Sequence, residues 1–249
     1  MRGGKSIFSG WHDGKIRSFL SQSGKLLFCI NEAHTNGVTA IKATSDCQKI
    51  ISGGMNGEIR VCRISAYAQK MEVSLKEHRN RVWNMVVNSR NNRAISVSSD
   101  GSCIEWDINN YTKVACMFET TMFKQLIYHP EESQIITTGK DKKITYWDLI
   151  DSSEIRPIDG SLDGEINTLA MCKSGEFFVS AGEDKEIKIW EYDSAIRMWK
   201  GIVHSNGINR VAIVPNQEFI VSVGQDGSIF IFETPMDIRL AKKDYNKLQ

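Results

Sequence analysis

The chain has 249 residues, of which 41% are hydrophobic and 24% are charged, so it can bury a core of ordinary globular size. With 31 basic against 30 acidic residues its net charge is +1, which removes the electrostatic argument for a nucleic-acid partner. Its six cysteines are scattered without a close pair and its longest apolar stretches have the length of a strand, so a disulfide framework, a cysteine metal site and a membrane partner are not expected.

The predicted strands follow one another in units of four. The chain opens on "SIFSG" and "KIRSF", which have the pattern of a second and a third strand with no inner strand before them. In a complete unit the alternation of apolar and polar residues predicts an inner strand over 82–88, two further strands over 94–98 and 103–107, and an outer strand over 113–118. The last unit ends on "SIFIFE", a third strand with no clear outer strand after it.

A turn residue recurs every 41 to 44 residues along the chain, at Asp13, Asn56, Asp100, Asp141, Asp184 and Asp226. The residues six positions later are Phe19, Cys62, Trp106, Trp147, Trp190 and Phe232. The residues four positions earlier are Ser9, Ser52, Ser96, Thr137, Ser180 and Ser222. A period in the low forties that ends on an aromatic residue is typical of the four-stranded blades of a β-propeller.

The sequence therefore predicts an all-β protein, a propeller of about six four-stranded blades. We expect one domain over 1–235, with blades that end near residues 30, 75, 118, 158, 203 and 235, followed by a charged C-terminal tail over 236–249. Because the first and last units are incomplete, the ring is predicted to be partial. Two outcomes stay open: the ends join into a strained six-bladed ring, or residues before Met1 complete it, which we favour.

A set of polar residues is copied with the repeat. His78, Ser96 and Asp100 have the composition of a hydrolase triad, and each copy has its histidine 18 residues before the serine. A catalytic set occurs once per site, whereas a set repeated in many units indicates a structural task. We predict buried hydrogen-bonded networks formed by His34, Ser52, Asn56, His78, Ser96, Asp100, Trp106, Thr137, Asp141, Trp147, Ser180, Asp184, Trp190, His204, Ser222 and Asp226.

Some units depart from this pattern. Glu119 and Leu162 stand where two of the histidines would be, Cys62 takes an aromatic position and Asn56 takes an acidic position. We expect those units to be held by packing more than by polar contacts. The chain has no Walker loop, no dinucleotide-binding glycine motif and no zinc-protease motif, so no enzyme activity, cofactor or metal is predicted.

The residues just before the turn acids are the candidates for contact with a partner. They are His12, Met55, Ser99, Lys140, Glu183 and Gln225. Their mixed chemistry favours a protein partner over a small molecule, although for any single one of them a solvated turn residue is the favoured interpretation. Trp11, Trp83 and Trp199 lie off the repeated aromatic position, so they either anchor a partner or fill gaps between blades.

The motifs carry a family resemblance. The chain resembles the WD-repeat family and, within it, the cilia- and flagella-associated protein 52 family. The stretches that match include "MRGGKSIFSGWHDGKIRSF", "SSDGSCIEWD", "VSVGQDGSIF" and, as the most specific, "YHPEESQIITTGKDKKITYWD". The resemblance runs from Met1 to about Phe232 and covers only the C-terminal portion of that family's two tandem propellers.

The resemblance implies a non-catalytic scaffold of motile cilia. Members of that family lie inside the doublet microtubules of the axoneme, where they contact tubulin and neighbouring inner proteins. The implied location is the cytoskeleton of the cilium or flagellum, and the implied partners are proteins. The alternatives are a soluble adaptor, such as a ubiquitin-ligase substrate receptor or a signalling scaffold, and a hydrolase that uses the His78 set.

Overall fold

In the computed structural model, which describes residues 6–65, 68–235 and 238, the chain forms 22 strands in six antiparallel sheets. It divides into two compact units, Met1–Leu126 with Trp147–Glu154, and Ile127–Tyr146 with Ile155–Gln249. Each unit is described by itself below. The tail predicted over 236–249 lies outside the described residues except for Ile238.

The first three sheets belong to the first unit. The first sheet has β1 (Ser6–Gly10), β2 (Ile16–Leu20) and β3 (Leu26–Ile30). The second has β4 (Val38–Ala43), β5 (Lys49–Gly54), β6 (Ile59–Ile64) and β7 (Gln69–Leu75). The third has β8 (Val82–Val87), β9 (Arg93–Ser98), β10 (Ser102–Asp107) and β11 (Thr112–Phe118).

The fourth sheet has β12 (Phe123–Tyr128), β13 (Gln134–Gly139), β14 (Lys143–Asp148) and β15 (Glu154–Asp159), and its residues are shared between the two units. The fifth and sixth sheets belong to the second unit. The fifth has β16 (Ile166–Met171), β17 (Phe177–Gly182), β18 (Glu186–Glu191) and β19 (Arg197–Ile202). The sixth has β20 (Ile208–Ile213), β21 (Phe219–Gly224) and β22 (Ile229–Glu233).

Every sheet pairs strands that are consecutive in the chain, so each connection within a sheet is a hairpin. In the second, third and sixth sheets the hairpin between the second and third strand carries a residue with positive φ at its tip: Gly57 (80°), Gly101 (83°) and Gly227 (77°). Glycine adopts this left-handed backbone without steric cost, which explains the Asp-Gly and Asn-Gly turns. In the fifth sheet Lys185 holds the same conformation, with φ of 64°.

The core lies between sheets that follow one another in the chain. In the first unit Ile51 and Ile59 of the second sheet pack with Val82 and Met85 of the third, and all four are buried. In the second unit a similar buried cluster joins the fifth and sixth sheets and includes Ile238. One sheet alone would leave this apolar face exposed to water, so the repeats stabilise one another by stacking.

The inner strands share an irregularity. The pairing of β4, β8, β16 and β20 with the next strand shifts register at the second residue, as in a β-bulge. The residues at the shift are Thr39, Trp83, Asn167 and Asn209. A bulge redirects a side chain relative to the regular alternation of a strand, so the side chains at these four positions do not follow the alternation of their neighbours.

The predicted fold class is confirmed, and each strand predicted over 82–118 lies within one residue of its observed bounds. Within the described residues the first sheet has no inner strand and the sixth has no outer one, so each has three strands there. As a result, no strand pairs with the edge of β22 that lies opposite β21 in the part of the chain that the structure describes. Ile229 and Ile231 on β22 are each 68% exposed, whereas most of the equivalent strand β18 is buried.

Candidate functional site

The third sheet contains the most complete polar network. Trp106 Nε1 on β10 donates to Ser96 Oγ on β9 over 2.8 Å, and Ser96 Oγ lies 2.7 Å from His78 Nε2. His78 Nδ1 lies 2.6 Å from Ser102 Oγ, which donates to Asp100 Oδ1 over 2.5 Å. The indole can only donate and the carboxylate can only accept, so the network has a donor at its Trp106 end and an acceptor at its Asp100 end.

Asp100 ends this network at the hairpin tip. Burial opposes its ionisation, but His78, whose Nδ1 lies 3.7 Å from Asp100 Oδ1, and hydrogen bonds from Ser102 and the backbone N–H of Arg79 outweigh burial and hold its pKa below the usual range. His78, Ser96 and Trp106 are all buried. A polar network of this kind stabilises a core only when each member has a partner, and here each has one.

The sixth sheet repeats the network with one change. His204 Nε2 lies 2.8 Å from Ser222 Oγ, and His204 Nδ1 lies 3.0 Å from both Asp226 Oδ1 and Ser228 Oγ. Hydrogen bonds from Ser228 and from His204 lower the pKa of Asp226. Phe232 stands at the aromatic position and has no N–H, so Ser222 receives no indole hydrogen bond.

The second sheet departs further. His34 Nε2 lies 2.9 Å from Ser52 Oγ, but His34 Nδ1 is buried without a hydrogen-bond partner. Burial, and after it the positive charge of Arg60, lower the pKa of His34 to about 4. The hydrogen bonds of Asn56 run to Glu58: its Oδ1 accepts from Glu58 N over 3.3 Å and its Nδ2 donates to Glu58 Oε2 over 3.5 Å.

Before the fifth sheet Leu162 stands at the histidine position, and a lysine makes the buried polar contacts of this sheet. Trp190 Nε1 donates to Ser180 Oγ over 2.8 Å, as in the third sheet. Lys188, which is buried, forms ion pairs with Asp184 and Glu186 and donates to the carbonyl of Gly160 over 3.1 Å. Ser161 donates to Asp184 over 2.7 Å. The fifth sheet therefore contains a polar network of its own, built on a lysine in place of a histidine.

Sequence reasoning missed Lys188 and Ser161. Lys188 pairs across the strands with Ser180, and Arg60 pairs in the same way with Ser52. The signal was present in the sequence as a cation two residues before the aromatic position, on the face that carries the serine. In the fourth sheet Thr137 and Trp147 are buried, and Asp141 Oδ1 accepts from Lys143 N over 3.4 Å within the hairpin.

The candidate contact residues all lie at the hairpin tips, but they differ in how they are held. His12, Met55, Lys140 and Gln225 are exposed, whereas Ser99 and Glu183 are half-buried. Lys140 Nζ lies 3.3 Å from Glu165 Oε1, and Glu183 accepts hydrogen bonds from Asn167 and Gln225. Ser99 accepts a hydrogen bond from the indole of Trp83. These residues therefore interact along the surface in addition to facing solvent.

Other kinds of site are not apparent in the described residues. They contain no group of three or more His, Cys, Asp or Glu side chains that could hold a metal ion. Nor does any helix in the described ranges have the length and apolar character needed to span a membrane. A cavity of about 430 Å³ beside Lys188 in the second unit is lined by both acidic and basic side chains, among them Asp159, Glu186 and Arg197.

Comparison with known sequences identifies the class. A family model described as "WD domain, G-beta repeat" matches residues 24–62, 69–107, 152–191 and 201–233, together more than half of the chain. Each match starts at an outer strand or just beside it and ends in the third strand of the next sheet, so the sequence repeat is offset from the structural blade. The chain belongs to the WD-repeat family, and its six sheets are the blades of the β-propeller fold.

Within this family the chain is similar to cilia- and flagella-associated protein 52. It is 46% identical to that protein from Mus musculus over 84% of the chain, and 45% identical to the Homo sapiens protein over the same share. The Chlamydomonas reinhardtii protein is 46% identical over 82% of the chain. The chain spans about a third of the length of these relatives, 34%, 34% and 33% respectively.

Proposed function

We propose that this protein is a non-catalytic interaction scaffold of the cilium or flagellum, and that it acts inside the axonemal doublet microtubules. Its partners in this proposal are tubulin and neighbouring inner proteins of the doublet. The observation that carries the proposal is the identity of about 45% to cilia- and flagella-associated protein 52 of an animal and of an alga. Identity at this level extends over most of the chain and is not confined to the repeat motif.

The buried polar sets support a structural role in place of catalysis. Ser96 is 1% exposed, and its oxygen is already bonded to the indole of Trp106 and the imidazole of His78. A nucleophilic serine needs an oxygen that a substrate can approach, and its histidine must be able to pass a proton to a leaving group. The equivalent serines Ser52, Ser180 and Ser222 are buried in the same way. Three of these four serines bond a histidine, whereas Ser180 accepts from Trp190 alone, which fits a network that holds each blade together.

A rigid sheet that presents exposed hairpin tips also suits a scaffold. The tips carry His12, Met55, Lys140 and Gln225, which are held by the hairpin backbone and reach solvent. A preorganised surface loses little conformational entropy when it binds, so such a surface can hold a partner through many weak contacts.

Fractionation of ciliated cells tests the proposal. An epitope-tagged chain is expressed in cells with motile cilia, and the cilia are stripped with detergent and washed with high salt. We expect the chain to remain with the axonemes and to leave only when the doublets themselves are dissolved. A soluble ciliary enzyme serves as the control for complete extraction.

Release of the chain with detergent alone would overturn the axonemal proposal. That result would favour the alternative of a soluble WD-repeat adaptor, a substrate receptor or a signalling scaffold, because propellers serve in many such roles. Hydrolytic activity that His78→Ala abolishes while the far-ultraviolet circular dichroism stays unchanged would overturn the non-catalytic assignment.

A further inference from the structure

Trp83 occupies the bulge position of the third sheet, where the second and fifth sheets carry Thr39 and Asn167. In the second sheet Thr39 Oγ1 donates to the carbonyl of Val82 over 2.6 Å, and in the fifth sheet Asn167 Nδ2 donates to the carbonyl of Ile208 over 3.1 Å. Both short polar side chains thereby join their sheet to the next one in the same unit. Trp83 donates its indole N–H to Ser99 within its own sheet, as Asn167 does to Glu183, and it remains half-buried. The bond to the next sheet comes here from the adjacent Asn84, whose Nδ2 donates to the carbonyl of Leu126 over 3.4 Å, and the bulge position carries a large aromatic surface.

Two cations lie against that aromatic surface. The guanidinium carbon of Arg81 is 3.8 Å from the centre of the Trp83 ring, and Lys124 Nζ is 4.3 Å from it. Contacts of this kind are attractive because the face of an indole carries partial negative charge. Stacking also fixes the plane of the guanidinium, so its donors point in set directions before any ligand arrives.

The guanidinium of Arg81 has few polar partners within the described residues. It forms no ion pair with a carboxylate in the described part of the chain, and its Nε is buried without a hydrogen-bond partner. Burial also lowers the pKa of Arg81, which is the direction expected for a cation removed from water without an anion beside it. The guanidinium is therefore positioned, partly desolvated and not neutralised.

Glu77, four residues before Arg81, and Asp100, which bonds the same loop at Arg79, already have other partners. Asp100 receives hydrogen bonds from Ser102 and from the backbone N–H of Arg79, and Glu77 forms an ion pair with Lys113 at 2.9 Å. Arg79, two residues before Arg81, adds an exposed cation to the same loop. We define the cationic Trp83 surface as Arg79, Arg81, Trp83 and Lys124.

We propose that the cationic Trp83 surface docks an acidic segment of a protein partner, with a glutamate or aspartate carboxylate bound by the guanidinium of Arg81. A carboxylate matches the paired donors of a guanidinium and is held by charge-assisted hydrogen bonds. The apolar edge of Trp83 offers contact to the aliphatic part of the same segment. A nucleic acid fits less well, because the chain as a whole carries a net charge of only +1.

The inference deepens the proposed scaffold function, since it rests on a protein partner and adds the chemistry of that partner. Binding is measured by fluorescence anisotropy at low ionic strength, with a fluorescein-labelled Glu-rich peptide as the probe. A peptide in which every Glu is replaced by Gln is the probe control. We expect the acidic peptide to bind, the Gln peptide not to bind, and added salt to weaken binding.

Variants locate the site. We expect Arg81→Gln to weaken binding about tenfold or more, because a charge-assisted hydrogen bond is lost. Arg81→Lys keeps the charge but not the paired donors, so an intermediate loss of about threefold is expected. Arg90→Gln is the matched control: it removes the same charge from an exposed turn at the other end of β8 and β9, and it should leave binding unchanged.

Three results would overturn the inference. They are no binding of the acidic peptide to the unaltered protein, equal losses in Arg81→Gln and Arg90→Gln, and tighter Arg81-dependent binding of a single-stranded RNA oligonucleotide. If Arg81→Gln does not fold, as judged by circular dichroism, Arg81→Lys and Arg79→Gln take its place, and unchanged binding in both would overturn the inference as well. Retention of the chain on axonemes is scored separately, so a failure of peptide binding leaves the scaffold proposal standing, and a soluble chain can still bind the peptide.

Discussion

The second and third sheets of the first unit have the same four strands and nearly the same hairpins, yet they differ in how their polar groups are satisfied. In the third sheet each member from Trp106 to Asp100 has a partner. In the second sheet the equivalent of Trp106 is Cys62 and the equivalent of Asp100 is Asn56, and His34 Nδ1 is left without a partner. The fold therefore does not require the complete network.

The difference also shows that the positions change together. Where the third sheet has Asp100 and Ser102, the second has Asn56 and Glu58. Glu58 is buried, and it binds Arg60 and Ser74 instead of serving the histidine. The second sheet has exchanged a histidine-centred network for one centred on Glu58 and Arg60. Four predictions test this comparison, from the largest expected effect to the smallest.

The aromatic position should separate the two sheets most strongly. Trp106→Ala removes a buried ring and its hydrogen bond to Ser96, so we expect a loss of about 3–5 kcal/mol in the free energy of unfolding. Cys62→Ala at the equivalent position should cost about 1 kcal/mol, since little volume is removed. Urea unfolding followed by circular dichroism measures both. Equal losses would show that the Trp106 side chain stabilises the third sheet no more than the Cys62 side chain stabilises the second.

The pH dependence of the free energy of unfolding should report on His34 in the second sheet. The pKa of His34 is lowered from 6.5 to about 4, so the unfolded chain binds a proton more readily than the folded one. Stability from this group is full above pH 6.5 and falls as the pH drops towards 4, by about 3 kcal/mol in all.

His34→Gln should flatten stability between pH 6.5 and 4, as measured by thermal unfolding at a series of pH values. Asp100 and Asp226 have lowered pKa values, so the stability they contribute is lost only at still lower pH. An unchanged profile in His34→Gln would mean that folding does not shift the pKa of His34.

The central serine should matter more in the third sheet than in the second. Ser96→Ala removes the partner of both Trp106 Nε1 and His78 Nε2, which we expect to cost about 1–3 kcal/mol. Ser52→Ala removes only the partner of His34 Nε2 and should cost about 1 kcal/mol. The melting temperatures of the two variants give the comparison. An unchanged melting temperature for Ser96→Ala would count against the network.

The acid position gives the smallest effect and tests the exchange directly. Asn56→Asp alone places a second carboxylate beside Glu58, so we expect a loss of about 1 kcal/mol, even though the new negative charge also lies near His34. Asn56→Asp with Glu58→Ser recreates the third-sheet pattern and should recover part of that loss. A double-mutant cycle measures the coupling between the two positions, and zero coupling would refute the exchange.

Much of the fold was predictable because its signals are local. Alternation marks each strand, and the Asp-Gly and Asn-Gly pairs mark the hairpins that fix the register. The offsets of serine, turn acid and aromatic residue follow from that register, which is why the members of the His78 set could be chosen from the sequence. The fit of Gly54 was not foreseen: a side chain there would meet His34 Nδ1 at 2.5 Å.

The rest depends on contacts that no local pattern contains. Lys188 lies opposite Ser180 on the neighbouring strand, and Trp83 reaches Ser99 because a bulge re-aims it. Both facts require knowledge of register and of bulges before they can be stated. The candidate contact residues were chosen by position alone, so their role remains a prediction, although Ser99 now has a specific partner in Trp83.

The exposed edge of β22 has a practical consequence for anyone who handles this chain in solution. In the described residues no strand pairs with this edge, Ile229 and Ile231 are exposed, and the strand contains no lysine or proline, which would discourage pairing. Concentrated preparations should therefore form dimers and larger species by joining edge to edge. A single Ile231→Lys substitution should keep the protein monodisperse in light scattering while the sheets beneath stay intact.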